Sequence, residues 1–295
     1  RKSVGYVRSR ASRQPIPVIA MGCACTRAEC HKIEYWRQAS LGAGGFHSDY
    51  SLTGQRLGAG AFGTVYAARS TLTGEDVAVK VVDLRAPDAD GVRSEERQRR
   101  AIKSEIASLR AAPRSVNIVE FRGSYIDGGL AYIVMERCSM GLYDALRRMP
   151  VLTESRLKPI FVDMLGALAA CHAAGIVHRD VKCDNFLVGC RPDGKGLAVK
   201  LCDFGLASRV IDPSARQLSG ICGTPVYMAP EMLQGEWYGA SVDVWALGVL
   251  VYVLLFGAWP YMPATPSEDE VKTAIQLGSP APDFNSQPGL PKVSA

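Results

Sequence analysis

His178-Arg179-Asp180-Val181-Lys182-Cys183-Asp184-Asn185 decides the reading of this chain, together with Asp203-Phe204-Gly205 eighteen residues beyond its last residue. The first stretch packs a carboxylate, an ammonium and an amide into one short loop. Asp180 can orient an attacking hydroxyl or accept its proton. Lys182 can neutralise negative charge that builds up nearby. The amide oxygen of Asn185 can ligate a magnesium ion, and Asp203, which follows a strand-like run over 199–202, can hold a second. An isolated aspartate after a strand is usually just a turn residue. That reading fails here because several such motifs would have to fall in order by accident.

Upstream, Gly58-Ala59-Gly60-Ala61-Phe62-Gly63 precedes a strand-like Thr64-Val65-Tyr66-Ala67. Glycines at this spacing let backbone N–H groups approach phosphate oxygens without side-chain obstruction. A dinucleotide-binding loop would lead into a helix, so the strand after Gly63 favours a hairpin and speaks against an oxidoreductase. Val77-Ala78-Val79-Lys80 then sets a lysine at the end of an apolar strand. Glu105 lies on a helix whose buried side is marked by Ile106 and Leu109. Taken singly, Lys80 reads as a solvated surface lysine and Glu105 equally as a surface acid. Paired, they would form an ion pair that fixes the lysine for phosphate contact.

The rest of the chain organises around these motifs. Strands are predicted within 51–83, over 75–82, 121–126 and 130–135, with the turn Asp127-Gly128-Gly129 between the last two. A loop is predicted over 87–91. Helices are predicted over 95–112, 142–149, 154–174, around Trp245 and over 270–277. This is an α+β pattern, a small β-rich lobe followed by a larger helical one. The most apolar stretch, 242–259, contains Asp243 and lacks interfacial anchors, so it reads as a buried helix and not a membrane span. Of 295 residues 47% are hydrophobic and 21% charged, enough for a packed core. A net charge of +5 without a dense basic stripe argues weakly against a dedicated nucleic-acid binder. The nine scattered cysteines include no CxxC pair, which fits reduced thiols in a cytoplasmic setting. The first residues are basic and polar and do not read as a secretory signal.

Met21-Gly22-Cys23-Ala24-Cys25-Thr26 fits the N-myristoylation pattern, with Cys23 and Cys25 placed for palmitoylation as a second anchor. Arg27, Lys32 and Arg37 would add attraction to anionic lipid. This reading requires Met21 to be the start and residues 1–20 to be translated upstream sequence. A pattern this short also arises by chance, and the two readings stand side by side.

The ordered set Gly58-x-Gly60-x-x-Gly63-x-Val65, Val77-Ala78-Val79-Lys80, Glu105, His178-Arg179-Asp180, Asn185, Asp203-Phe204-Gly205 and Ala229-Pro230-Glu231 resembles the signature of protein kinases over roughly residues 50–278. The resemblance implies a two-lobed protein kinase fold with ATP and Mg2+ in the cleft, an N-lobe over 50–137 and an incomplete C-lobe over 138–278; residues 21–49 read as an N-terminal segment and 279–295 as a disordered tail or a fragment end. Asp180 and Lys182 would be catalytic. Asn185 and Asp203 would hold metal. Leu57, Gly58, Gly60, Gly63, Val65, Ala78, Lys80, Glu105, Glu136, Cys138 and Leu187 would line the nucleotide site, with Met135 as gatekeeper. Leu109, His178 and Phe204 would stack. Lys182 and Gly223-Thr224-Pro225 resemble serine/threonine kinases, with protein substrates, and Thr224 would contact Asp180 and Lys182. HRDVKCDNFL and the 243–261 stretch most resemble calcium/calmodulin-dependent and calcium-dependent kinases, although no acidic EF-hand loop is present. Arg179 implies control through a phosphorylated activation segment. The position usually phosphorylated falls on Gly220, with Ser219 adjacent and Ser214 a weaker candidate. Cys183 replaces a common proline. The family would continue with further helices and an arginine pairing with Glu231, so the C-lobe reads as truncated. An inactive scaffold of the same fold is the competing function.

Overall fold

The computed structural model describes residues 45–60, 63–85, 95–263 and 267–285. The first lobe is a five-stranded antiparallel sheet: β1 (Tyr50–Gly60), β2 (Gly63–Ser70), β3 (Asp76–Asp83), β4 (Phe121–Asp127) and β5 (Leu130–Glu136), in the order β1-β2-β3-β5-β4. Side chains alternate faces along a strand, which explains the two fates of β3. Val77, Val79 and Val81 join Tyr132 and Val134 in a cluster on the outer face. A short helix, α1 (Phe46–Asp49), closes that cluster by stacking Phe46 on Tyr132 with ring centroids 4.2 Å apart. Ala78, Lys80 and Val82 alternate to the other face, where Val82 and Ile133 meet α2 (Glu95–Ala111).

Helix α2 buries Ile102, Glu105, Ile106 and Leu109, a stripe at i, i+3, i+4 and i+7. The pairs Glu95–Arg99 and Glu96–Arg100 support its exposed first turns. The hairpin between β4 and β5 closes on Gly128 and Gly129, whose φ angles of 56° and 83° are those a tight two-residue turn requires.

The second lobe starts at β6 (Met140–Gly141), α3 (Leu142–Arg148) and α4 (Glu154–Ala173). Next come β7 (Ile176–Val177), a 3₁₀ turn over Cys183–Asn185, β8 (Phe186–Cys190), β9 (Leu197–Leu201) and β10 (Ser208–Arg209). Strands β6, β8 and β9 form a small sheet, and β10 pairs with β7. The second lobe continues with a 3₁₀ turn over Pro225–Tyr227, α5 (Pro230–Leu233), α6 (Ser241–Phe256) and α7 (Glu268–Leu277). Helix α6 is the apolar stretch anticipated around Trp245. Most of its residues are buried, Asp243 fully, and Gly257 ends it in the left-handed conformation at φ 67°. A capping box between Ser267 and Glu270 starts α7, two residues before the predicted start. Among the described residues no helix is long and apolar enough to cross a membrane. Backbone bonds from Leu201 to Asn117 and from Val119 to Leu201, at 2.8 and 3.0 Å, stitch β9 to the segment leading into β4 and so join the lobes.

Residues 1–44, the predicted 87–91 loop and residues 286–295 lie outside the described residues, and with them the acylation pattern at Gly22, Cys23 and Cys25.

Candidate active site

Lys80 projects from β3 into the space between the lobes and is 6% exposed. Its Nζ donates to Glu105 Oε1 at 2.7 Å and to Asp203 Oδ1 at 3.0 Å. The open choice for Glu105 thus resolves to a buried ion pair, which the apolar stripe of α2 forces by carrying Glu105 inward with Ile102 and Ile106. Burial works against the Lys80 charge, but the two carboxylates outweigh it and its pKa lies above the ordinary lysine value. Burial would likewise raise the Asp203 pKa, and the Lys80 ammonium overcomes this and holds the carboxyl below its usual range. Asp203 itself takes a left-handed φ of 59°, a conformation that costs a non-glycine residue energy and recurs at functional sites.

The 178–185 loop is shaped by α6. Fully buried Asp243 accepts the backbone N–H of His178 and of Arg179, both at 2.7 Å, and His172 Nε2 donates to it at 2.9 Å. These bonds hold Arg179 at φ 65°. The His178 ring donates to the Cys202 carbonyl and lies edge-on to Phe204 at 5.2 Å. Phe204 and Leu109 both belong to the main core cluster.

Beyond Arg179 the polar groups converge. Asn185 Nδ2 donates to the Asp180 carbonyl at 2.7 Å and to its carboxylate at 3.0 Å. Lys182 Nζ is 2.8 Å from the same carboxylate and donates to Thr224 Oγ1 at 2.9 Å. Thr224 Oγ1 in turn donates to Asp180 Oδ1 at 3.0 Å. Thr224 comes this close because Gly223 precedes it at φ 102°, where a Cβ would lie 2.6 Å from the Arg179 carbonyl.

The predicted nucleotide-lining residues fall around the same cleft. Gly58 pairs with Val65 and Gly60 with Gly63, so the glycine-rich stretch is a strand hairpin whose tip, residues 61–62, lies outside the described residues. Val65 sits in register with Lys80, Ala78 with Met135, and Val77 with Glu136. Leu187 on β8 stands between Gly141 and Lys200 in the lower sheet. Leu57 is exposed at the rim. Burial pushes the Cys138 and Cys183 thiols up to about 12, so both stay protonated and unreactive at neutral pH.

Three anchors were missed by the sequence reading. Lys200, 2% exposed, donates to Glu136 Oε1 at 2.9 Å, and the same oxygen accepts the Glu120 N–H at 2.8 Å. A lysine inside the apolar run Leu197-Ala198-Val199-Lys200-Leu201 was its only signal, since lysine is seldom fully buried without a partner. Asp243 was noted only as a charge within an apolar helix. Tyr238, which bonds Arg179, carried no signal of its own. Glu231 forms no side-chain hydrogen bond or ion pair among the described residues.

The family model of the protein kinase domain matches residues 52–287, and the chain belongs to that family. It is 33% identical to Calcium-dependent protein kinase 5 of Oryza sativa subsp. japonica over 82% of this chain and 41% of the relative. Calcium-dependent protein kinase 12 of the same organism is 35% identical over 81% of this chain and 42% of its own length. Serine/threonine-protein kinase KIC1 of Saccharomyces cerevisiae (strain ATCC 204508 / S288c) is 36% identical over 70% of this chain and 18% of its own. The chain thus spans less than half the length of these curated relatives.

Proposed function

We propose that this domain transfers the γ-phosphoryl group of ATP, with Mg2+, to serine and threonine hydroxyls of protein substrates. One observation carries the reading. The chain's own Thr224 hydroxyl donates to Asp180 while accepting from Lys182, which is how an acceptor alcohol would be met. Asp180 orients such a hydroxyl and takes its proton, and Asn185 keeps the carboxylate turned toward it. Lys182 places positive charge beside the attacking oxygen, where it can neutralise charge on the transferring phosphoryl group.

The residues fit a nucleotide-bound divalent metal. With Asn185 Nδ2 committed to Asp180, its amide oxygen remains as a ligand atom, and the carboxylate of Asp203 is kept ionised by Lys80. Two protein oxygens suit magnesium, which is commonly held by one or two carboxylates plus substrate phosphates. The bound ion would supply charge neutralisation for the phosphate oxygens. Lys80, fixed by Glu105, is placed to bind phosphate.

Relatives named as calcium-dependent kinases support placing the domain in that group. Membrane attachment of a cytoplasmic kinase through Gly22, Cys23 and Cys25 belongs to the proposal, and mass spectrometry of the native N-terminus tests it: a peptide starting before Met21 removes it. The transferase reading is tested with labelled ATP, magnesium and a generic serine/threonine substrate. Asp203→Ala is expected to lower transfer about a thousandfold, the scale on which groups neutralising transferring charge act. Equal activity in the two proteins would refute the assignment.

A further inference from the structure

Arg179 is tied to more than the loop it belongs to. Its Nε donates to the Leu206 carbonyl at 2.7 Å, and Nη1 donates to Tyr238 Oη at 3.3 Å. Tyr238 is buried, 1% exposed. Its hydroxyl donates to the Gly220 carbonyl at 2.9 Å, with the Ser219 carbonyl at 3.4 Å and the Cys222 thiol 3.9 Å from the same oxygen. A phenol has one proton and two lone pairs. The proton goes to Gly220, one lone pair to Arg179, and the other faces the thiol. The backbones of Leu218 and Tyr238 are also bonded in both directions, at 3.0 and 2.8 Å. Burial, the leading influence on the phenol, raises its pKa and keeps it a donor at neutral pH.

Four residues of the 218–222 stretch, Leu218, Ser219, Gly220 and Cys222, are therefore tied through Tyr238 to the loop. The next two are Gly223, pressed on the Arg179 carbonyl, and Thr224, held between Asp180 and Lys182. Gly220, the position expected to be phosphorylated, has no side chain to modify and takes a φ of 94° that disfavours any other residue. Ser214 already donates its hydroxyl to Asp212 at 2.6 Å, and a phosphate there would face that carboxylate.

We propose that Tyr238 is a positioning residue that links the 218–222 stretch to the Arg179 guanidinium through its own hydroxyl, so that this domain needs no phosphate on its activation segment to order Thr224. The inference deepens the kinase reading and rests on it for its activity arm only.

The experiment uses the full chain after treatment with a broad-specificity phosphatase, checked by mass spectrometry. Amide hydrogen exchange over 218–224 is measured alongside transfer to a serine/threonine peptide. Phosphate-free wild type is expected to protect these amides and to keep its activity. Tyr238→Phe is expected to speed exchange there about five- to tenfold, the effect of one buried hydrogen bond, with no change in β5 or α6. Its kcat per folded molecule, with the folded fraction measured by unfolding, should fall while KM for ATP stays put; a merely lowered folded fraction would leave kcat per folded molecule unchanged. Ser214→Ala combined with Ser219→Ala is expected to change neither readout. Unaltered exchange in Tyr238→Phe would overturn the proposal. So would loss of wild-type activity on dephosphorylation with recovery on rephosphorylation. Should Tyr238→Phe not fold, Arg179→Lys offers one nitrogen in place of several and carries the same exchange expectation. Absence of transfer by wild type in every state would sink the kinase reading, while the exchange comparison would still decide the role of Tyr238.

Discussion

Replacing Asp243 by asparagine tests what shapes the 178–185 loop. The native carboxylate, fully buried, accepts three short bonds: 2.7 Å from His178 N, 2.7 Å from Arg179 N and 2.9 Å from His172 Nε2. Asparagine keeps one oxygen. Its amide nitrogen then faces a backbone N–H, donor against donor, and the remaining bonds lose their charge assistance. One buried donor left without a partner costs about 1–3 kcal/mol, and the loss of an ionised centre from a buried network brings the total to about 3–5 kcal/mol. In a domain of this size that is roughly a 6–20 °C fall in Tm. His172→Ala, which removes a single bond, should cost only about 1 kcal/mol. Thermal and urea unfolding measure both. In the surviving folded fraction of Asp243→Asn, Arg179 is free to leave its left-handed conformation and carry Asp180 with it. The kcat should therefore fall more than KM for ATP rises, because Lys80, Glu105 and Asp203 are held by other elements. A stability loss under about 1 kcal/mol would refute the reasoning, since these bonds could not then be what bends the loop.

Further outcomes follow from the neighbouring anchors. Lys200→Met leaves the half-buried Glu136 carboxylate with only the Glu120 N–H, and should cost about 1–3 kcal/mol in urea unfolding. Adding Glu136→Gln should recover part of that loss, and strictly additive costs would argue against the pair. Iodoacetamide at neutral pH, followed peptide by peptide, should modify exposed Cys190 well before Cys138, Cys171 and Cys183, whose thiols burial pushes up to about 12. Cys183 reacting as fast as Cys190 would contradict the packing of the loop. Gly223→Ala forces a Cβ to within 2.6 Å of the Arg179 carbonyl at φ 102°. About 1–3 kcal/mol of strain and a fall in kcat are expected from unfolding and transfer assays, and unchanged transfer would show that Thr224 need not approach Asp180.

How far the molecule was legible in its sequence depends on the range over which each feature is set. Period-two alternation around Lys80 fixes that it shares a face of β3 with Ala78 and Val82, but both faces are buried, so which one turns toward the second lobe could not be read locally. Glu105 was readable in principle, because it falls within the stripe of Ile102, Ile106 and Leu109; weighed alone it stood evenly between an ion-pair partner and a surface acid. The turn at Gly128 and Gly129 and the hairpin closing on Gly63 follow from residue types at adjacent positions.

The anchors that were missed have a different origin. Lys200 meets Glu136, and Asp243 meets His178 and Arg179, across separations of 64 or more residues. Periodicity says that Lys200 and Asp243 are buried; it cannot name the partner, because the partner depends on how two sheets and a helix come into register. The division has a chemical basis. Lys80, Asp180, Lys182, Asn185 and Asp203 are predicted to touch reactants, so their residue types and spacing follow from the chemistry of phosphate, metal and hydroxyl. Asp243 and Tyr238 satisfy backbone groups, which every residue carries, and a group that any sequence supplies leaves no pattern to read. A search for such anchors should therefore start from buried polar side chains whose partners are main-chain atoms, and ask which reactive side chain sits next to the backbone they hold.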